Sequence, residues 1–242
     1  MMRRHAALEA IWYRPGDQVR GRPLFRLLRI LSLPYEAAIR VRNRLYDRGG
    51  LPRIRIDRPV VSVGNVTVGG TGKTPFVMLV AKLLLEAGHR PAILSRGFGG
   101  RPARPVLVVS DGDRVLAGPE AAGDEPVLMA RTLPTVPVLT GPDRAKTGTA
   151  AIDRFGASVL VLDDAFQHRR LARDLDIVLT DIRLPFGNGF LLPAGPLREP
   201  AGSLDRAQIV VRTGSEAEVR RAPAVASELR GYRRPCALVR GD

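Results

Sequence analysis

Residues 59–75, PVVSVGNVTVGGTGKTP, set an apolar run, a glycine-rich turn and the pair Lys73-Thr74 directly one after another. A strand that ends in glycines releases several backbone N–H groups. A helix opening at Lys73 adds its own N-terminal donors, so the segment forms a concave site for phosphate oxygens. A lysine at that point reaches the outer phosphates of a nucleotide, and the hydroxyl of Thr74 is placed to bind magnesium. The spacing is irregular, because Thr67 stands where the common phosphate-loop pattern has its first glycine. The compact form G-G-x-G-K-T still runs from Gly69 to Thr74. Thr67, Val68, Gly69, Gly70, Thr71, Gly72, Lys73 and Thr74 are the expected nucleotide-binding residues.

A second element must supply acid to the magnesium, and SVLVLDD at 158–164 does so as an apolar strand ending in Asp163 and Asp164. A carboxylate at the C-terminal end of a strand lies beside the phosphate loop in an open α/β sheet, which makes Asp163 the expected metal-side acid. Phosphoryl transfer to a hydroxyl also needs a group to take or orient the acceptor proton. Asp124 and Glu125 in GDEP at 123–126 offer two carboxylates at a predicted helix start, where they also read simply as favourable charges on the helix dipole. His168 in DDAFQHRRL reads equally as a catalytic group, an orienting group or a structural hydrogen-bond partner. His5 and His89 have no companions that point to metal or catalysis. The N-K-x-D and T-K-x-D elements of guanine-specific proteins are absent, which leaves adenine, and hence ATP with Mg2+, as the expected nucleotide.

Short apolar runs alternating with helical stretches after residue 59 predict an α/β fold, a mainly parallel sheet flanked by helices of the P-loop NTPase kind. The strands are expected at 59–63, 91–94, 106–109, 136–139, 158–162, 175–180 and 208–211. A helix follows Lys73 and ends at Gly88, another spans 143–155, and a shorter one begins near Asp124. Residues 183–202 are rich in Pro and Gly without a period, which marks a functional loop or a domain junction. Upstream, Leu24, Phe25, Leu27, Leu28, Ile30, Leu31 and Leu33 alternate with Arg22, Arg26, Arg29, Arg40, Arg42 and Arg44. This is the composition of a basic amphipathic helical segment, with Pro34 expected to open a second helix and Gly49-Gly50 to close it. The chain thus divides into 1–58, a basic N-terminal segment; 59–182, a phosphate-loop core; and 183–242, a substrate loop and partial second lobe.

The charge is concentrated. Of 242 residues, 38 are Lys or Arg against 24 Asp or Glu, and only Lys73, Lys82 and Lys146 are lysines. Residues 1–58 hold 14 arginines against 5 acids. Such a block attracts anionic surfaces, whether lipid headgroups, nucleic acid or a phosphorylated substrate; an arginine-rich composition is the plainer account. Aromatic residues make up 5% of the chain and do not interleave with the arginines, which argues against a single-strand nucleic-acid platform. The single cysteine, Cys236, forms no internal disulfide, which suits a cytosolic setting. No apolar run reaches the length of a membrane span, and the start MMRRHAALEA lacks a signal-peptide pattern.

With GNVTVGGTGKTP, LSRGFGG, GDEP, GPDRAKTGTAAI, LVLDDAFQHRRLARDLDIVL and LLPAGPLREP in one order from about residue 59 to 200, the sequence resembles the tetraacyldisaccharide 4′-kinases of the lipid A pathway of Gram-negative bacteria. The resemblance implies ATP-dependent phosphorylation of the 4′-hydroxyl of a tetraacylated disaccharide 1-phosphate, by a peripheral protein at the cytoplasmic face of the inner membrane. It implies Asp124 as catalytic base with Lys73 at the phosphates. Glu125, Thr74 and Asp163 fall on the magnesium side, and Arg198 and Glu199 near the sugar. It also implies that the basic segment faces an anionic membrane surface, with no nucleic acid and no obligate protein partner. Similar proteins are longer, and the His thought to pair with the catalytic acid is expected beyond Asp242. The alternative from another class is a membrane-associated nucleotide switch or partitioning ATPase. Many of those carry a lysine where Val68 stands, and they have no use for LLPAGPLREP.

Overall fold

A strand buried on both faces has no polar side to alternate, and β1, VVSVGN, and β5, VLVLD, are buried along their whole length. The computed structural model describes residues 11–14, 16–19, 23–101, 105–221 and 229–232; His5, Arg22, Cys236 and the final VRGD lie outside them. In chain order the helices are α1 (Gly16–Val19), α2 (Pro23–Asp47), α3 (Lys73–Glu86), α4 (Pro119–Ala122), α5 (Asp124–Thr132), α6 (Arg144–Phe155) and α7 (Glu216–Arg221). The strands are β1 (Val60–Asn65), β2 (Pro91–Ser95), β3 (Leu107–Ser110), β4 (Val138–Thr140), β5 (Val159–Asp163), β6 (Leu175–Asp181), β7 (Ile209–Gly214) and β8 (Leu229–Tyr232). A 3-10 turn spans Ala201–Arg206.

The chain forms two compact units: Arg42–Gly64 with Lys73–Ile177, and Met1–Val41 with Asn65–Gly72 and Val178–Asp242. Both are assembled from separated stretches, whereas the sequence reading divides the chain linearly at residues 58 and 182. In the larger unit the strands run in the order β3-β4-β2-β5-β1. All neighbours are parallel except β3, which lies antiparallel to β4. The register sets Val63 opposite Asp163, Leu94 opposite Leu162 and Ser95 opposite Thr140. Helix α6 begins as its sequence directs: the Asp143 side chain accepts from the N–H groups of Ala145 and Lys146, and Gly156 closes the helix in the left-handed conformation. Its small residues Ala145 and Ala151 pack on Leu94, Leu139, Leu160 and Leu162 of the sheet.

In the smaller unit β7 and β8 pair in parallel, with Val211 opposite Leu229. Ile11, Val19 and Phe25 pack with Ala194 and Phe190, and the Phe25 and Phe190 rings meet edge to face at 5.1 Å. This cluster fixes one side of the first half of α2 to the Pro- and Gly-rich stretch. The other side exposes Leu24, Leu27, Ile30, Leu31 and Leu33. Among the described residues no helix is long and apolar enough to cross a membrane.

The seven expected strands are present, with C-terminal ends extended by one to three residues. The displacement has a direction. Sequence reading stops a strand where the apolar run stops, but ladder bonding carries β1, β2, β4 and β5 on through Asn65, Ser95, Thr140 and Asp163. Two expectations fail. β8 was not foreseen, and Pro34 does not open a second helix but lies inside α2. Proline withholds its own N–H, which leaves the carbonyl at position 30 without its helical donor. Ile30 is 64% exposed, so water can serve that carbonyl and the helix continues.

Inside the larger unit β1 passes close to the turn after β5 at Gly64, where an added Cβ would fall 2.7 Å from Phe166 Cβ and 2.9 Å from its backbone nitrogen. Backbone cannot yield as a flexible side-chain tip can. We expect Gly64→Ala to cost about 1–3 kcal/mol of unfolding free energy, read as a lower urea midpoint at unchanged slope. An unchanged midpoint would show that the β1–Phe166 packing tolerates the extra methyl.

Candidate active site

Because β5 lies between β2 and β1, its last residue has neighbours from both. Asp163 is 2% exposed, and its Oδ2 accepts a hydrogen bond from Ser95 Oγ at 3.0 Å. Its Oδ1 has no hydrogen-bond partner. Burial, and then the neighbouring Asp164 charge, push the Asp163 carboxyl up to about 6; Glu125 adds to this, while Ser95 and Lys73 oppose it. Such an oxygen lacks a positive partner. The next residue, Asp164, has φ 49, a left-handed conformation rare outside glycine, asparagine and aspartate. Its Oδ1 lies 3.7 Å from Lys73 Nζ at the start of α3. Pro75 is accepted there because the first helical turn needs no N–H donor.

Arg144, the first residue of α6, is 3% exposed, and its Nη1 donates to the Gly141 carbonyl at 2.6 Å. Burial lowers its pKa to about 10, against the raising effect of Asp163 and Asp164. A buried guanidinium is therefore coupled electrostatically to the acid pair. The His168 imidazole is pushed down to about 4, by burial first and then by Arg144, so it is neutral at physiological pH. Its backbone N–H donates to the Ala165 carbonyl at 2.8 Å, closing the turn after the acids.

Asp124 and Glu125 occupy the exposed first turn of α5, where negative charge complements the helix N-terminus. The turn is fixed from behind. Gly123 has φ 87, and a Cβ there would fall 2.4 Å from the Phe98 carbonyl oxygen, so only glycine lets residues 97–100 seat against it.

Of the phosphate-loop sequence, Lys73 and Thr74 belong to the larger unit and Thr67 to Gly72 to the smaller one. There the loop is braced on several sides. Val68 N–H donates to the Pro196 carbonyl at 2.7 Å, Arg198 N–H donates to the Val66 carbonyl at 2.8 Å, and Thr67 bridges Leu197 in antiparallel fashion. Thr213 Oγ1 donates to the Thr71 carbonyl at 2.9 Å, and Asn65 Nδ2 donates to Thr71 Oγ1 at 3.2 Å. Arg198 gives its carbonyl to the Tyr35 hydroxyl at 2.8 Å. Glu199 is fully buried and paired with Arg206 at 2.7 Å.

These oxygen donors suit a hard cation such as magnesium: the buried, unpaired Asp163 oxygen, the Thr74 hydroxyl and the Glu125 carboxylate. Among the described residues no three His, Cys, Asp or Glu side chains gather into a protein-only cage. Sequence reasoning missed Ser95, Arg144 and Asn65. The one available signal was the arginine of GPDRAK at a helix start, where the dipole disfavours a cation unless an acid faces it.

Residues 24–238 match the family model LpxK, tetraacyldisaccharide-1-P 4′-kinase. A curated tetraacyldisaccharide 4′-kinase of Syntrophus aciditrophicus is 49% identical over 249 residues, covering 96% of this chain and 67% of that relative. One of Anaeromyxobacter sp. strain K is 51% identical over 209 residues, covering 85% and 54% respectively. A crystal structure of LpxK from Aquifex aeolicus in complex with ATP matches with TM-score 0.77 and 42% identity, covering 86% of this chain and 64% of that one. The chain thus spans 54% to 67% of the length of these relatives.

Asp163 and His168 pull stability in opposite directions over one pH window. Between about 4 and about 6, folded Asp163 keeps a proton that the unfolded chain has released, so its contribution makes stability fall as pH rises. Over the same range the unfolded chain protonates His168 while the folded imidazole stays neutral, so its contribution makes stability rise with pH. Urea unfolding across this window should show a steeper rise with pH for Asp163→Asn than for the parent, and a fall for His168→Gln. Parallel profiles for all three proteins would contradict the burial of these groups.

Proposed function

This chain belongs to the tetraacyldisaccharide-1-phosphate 4′-kinase family, and on that premise we propose that it transfers the γ-phosphate of ATP to the 4′-hydroxyl of a tetraacyldisaccharide 1-phosphate. The observation that carries the proposal is the end of β5, where Lys73 stands beside Asp164 and a buried Asp163 oxygen lacks a positive partner. The glycine-rich turn before Lys73 holds the donor phosphates on backbone N–H groups, and Lys73 leaves Asp164 for the outer phosphates. Asp163, Thr74 and Glu125 would hold magnesium, which would supply charge neutralisation on the transferred group. Asp124 takes the proton of the acceptor hydroxyl as its oxygen bonds to the γ-phosphorus and the bond to ADP breaks. Arg144 stays behind the acids and offsets their charge. On the acceptor side Arg198 meets the sugar phosphate, while Glu199, buried against Arg206, holds the segment in place.

The same reading makes the protein peripheral at the cytoplasmic face of the inner membrane. The exposed leucines and Ile30 of α2 enter the acyl boundary, and the arginines alongside meet anionic headgroups. The family match does not favour the alternative of a nucleotide switch.

The direct test is phosphorylation of the acylated disaccharide 1-phosphate by purified protein with magnesium and ATP; absence of a 4′-phosphorylated product would sink the acceptor assignment. Lys73→Ala should lower turnover about a hundredfold or more, because a charge aimed at the transferred group is lost. Asp124→Ala should depress kcat by about a hundredfold while leaving the Kd for ATP close to that of the parent. A parallel loss of ATP binding would instead make Asp124 a nucleotide ligand. Ile30→Glu should weaken flotation with anionic vesicles by about tenfold without altering ATP binding. Unchanged flotation would move the membrane contact off α2.

A further inference from the structure

We propose that Tyr13 is a positioning residue for the phosphate loop: its hydroxyl fixes the Val68–Gly69 peptide in the orientation that presents the Gly69 N–H to a nucleotide phosphate. The proposal rests on reading residues 67–74 as the phosphate loop, and not on the identity of the acceptor. Tyr13 precedes Val68 by 55 residues, yet its hydroxyl donates to the Val68 carbonyl at 2.5 Å. The contact lies within the smaller unit.

The polar groups on either side of this peptide are already occupied. Val68 N–H donates to the Pro196 carbonyl at 2.7 Å, and the Gly69 carbonyl accepts from Thr71 N–H at 3.2 Å. With Tyr13 on the Val68 carbonyl, only the Gly69 N–H remains without an acceptor among the described residues. A trans peptide is planar, and its C=O and N–H point in opposite directions. Holding the carbonyl toward Tyr13 therefore turns the Gly69 N–H away from Tyr13. Glycine residues give this stretch little resistance to a peptide flip, so an external bond has work to do here.

Tyr13 itself is anchored on both its chain and its neighbours. Trp12 Nε1 donates to the Pro193 carbonyl at 2.9 Å, and the Trp12 carbonyl accepts from Asn188 N–H at 2.7 Å. Ile11 is 3% exposed in the cluster with Val19, Phe25 and Ala194, and its carbonyl accepts from Asn188 Nδ2 at 3.2 Å. The phenol ring is thus projected from a fixed base. Its ring is partly solvent-exposed, so deletion of the hydroxyl alone leaves the packing in place.

The test is Tyr13→Phe, with the Kd for magnesium-ATP by calorimetry, KM for each substrate, kcat and the melting temperature all measured. We expect Kd and KM for ATP to rise about three- to tenfold, the worth of one hydrogen bond, with acceptor KM and melting temperature unchanged. ATP affinity within about twofold of the parent would overturn the proposal, since one bond is worth more than that. A second measurement does not depend on deleting anything: a fluorinated tyrosine at position 13 whose phenol ionises near neutral pH. ATP affinity should then fall as pH rises through the phenol pKa, because a phenolate cannot donate to the Val68 carbonyl. A profile matching that of the parent overturns it. If acceptor assays yield no product while Tyr13→Phe still weakens ATP binding, the acceptor reading fails and this inference stands.

Discussion

The larger unit is organised around one buried carboxylate. Taking Asp163 out of water costs free energy that only a positive partner or hydrogen-bond donors can offset, and Ser95 supplies one donor to one of its oxygens. Everything else at this end of the sheet follows from that imbalance. Because β5 sits between β2 and β1, Ser95 comes from one neighbour and Lys73 from the helix that continues the other. Arg144 couples to the acids from the start of α6 at the cost of its own burial, and His168 is kept neutral by burial first and then by the Arg144 charge. A buried carboxylate with one oxygen left without a hydrogen-bond partner is well suited to receiving a metal ion with a polyanion.

Strands buried on both faces announce themselves as unbroken apolar runs, which is why the sheet was legible from the sequence to within a few residues at each strand end. The strand ends were less legible for the reason that makes them useful. Asn65, Ser95, Thr140 and Asp163 are polar residues that the ladder recruits and the apolar pattern excludes. Lys73, Thr74 and the Asp163-Asp164 pair could be named in advance because their meaning is local: a lysine after glycines, acids after an apolar run. Ser95 and Arg144 could not, since each acquires its role only from an acid that pairing brings near from 68 or 19 residues away.

Pro34 illustrates the opposite error, and Glu199 shows a burial that the sequence does not reveal. The resemblance sets Glu199 of LLPAGPLREP near the sugar, and although glutamate is ordinarily exposed, this one is fully buried against Arg206, seven residues on. Pro34 reads as a helix start because that is where proline costs least, yet a solvent-facing turn of α2 accepts it in mid-helix. In both cases a residue-type preference was overridden by a partner or by water, neither of which leaves a mark in the local sequence.

Within the smaller unit, the segment singled out for the sugar is first a backbone partner of the phosphate loop. Residues 196–198 form a short antiparallel ladder with 66–68, so the motif LLPAGPLREP and the first half of the glycine-rich turn share one set of hydrogen bonds. These two hydrogen bonds and one bridge fix the register of the two segments, since slipping it by one residue would turn the side chains to the other face. The position of Arg198 is therefore set by the same bonds that set Val68, and Tyr35 adds a further tie at the Arg198 carbonyl. It follows that a substitution between 196 and 198 which alters nucleotide affinity does not identify a residue that touches nucleotide. Only an effect that persists when the Val66–Arg198 and Val68–Pro196 bonds are intact can be assigned to side-chain contact, and the backbone pairing is the first cause to exclude.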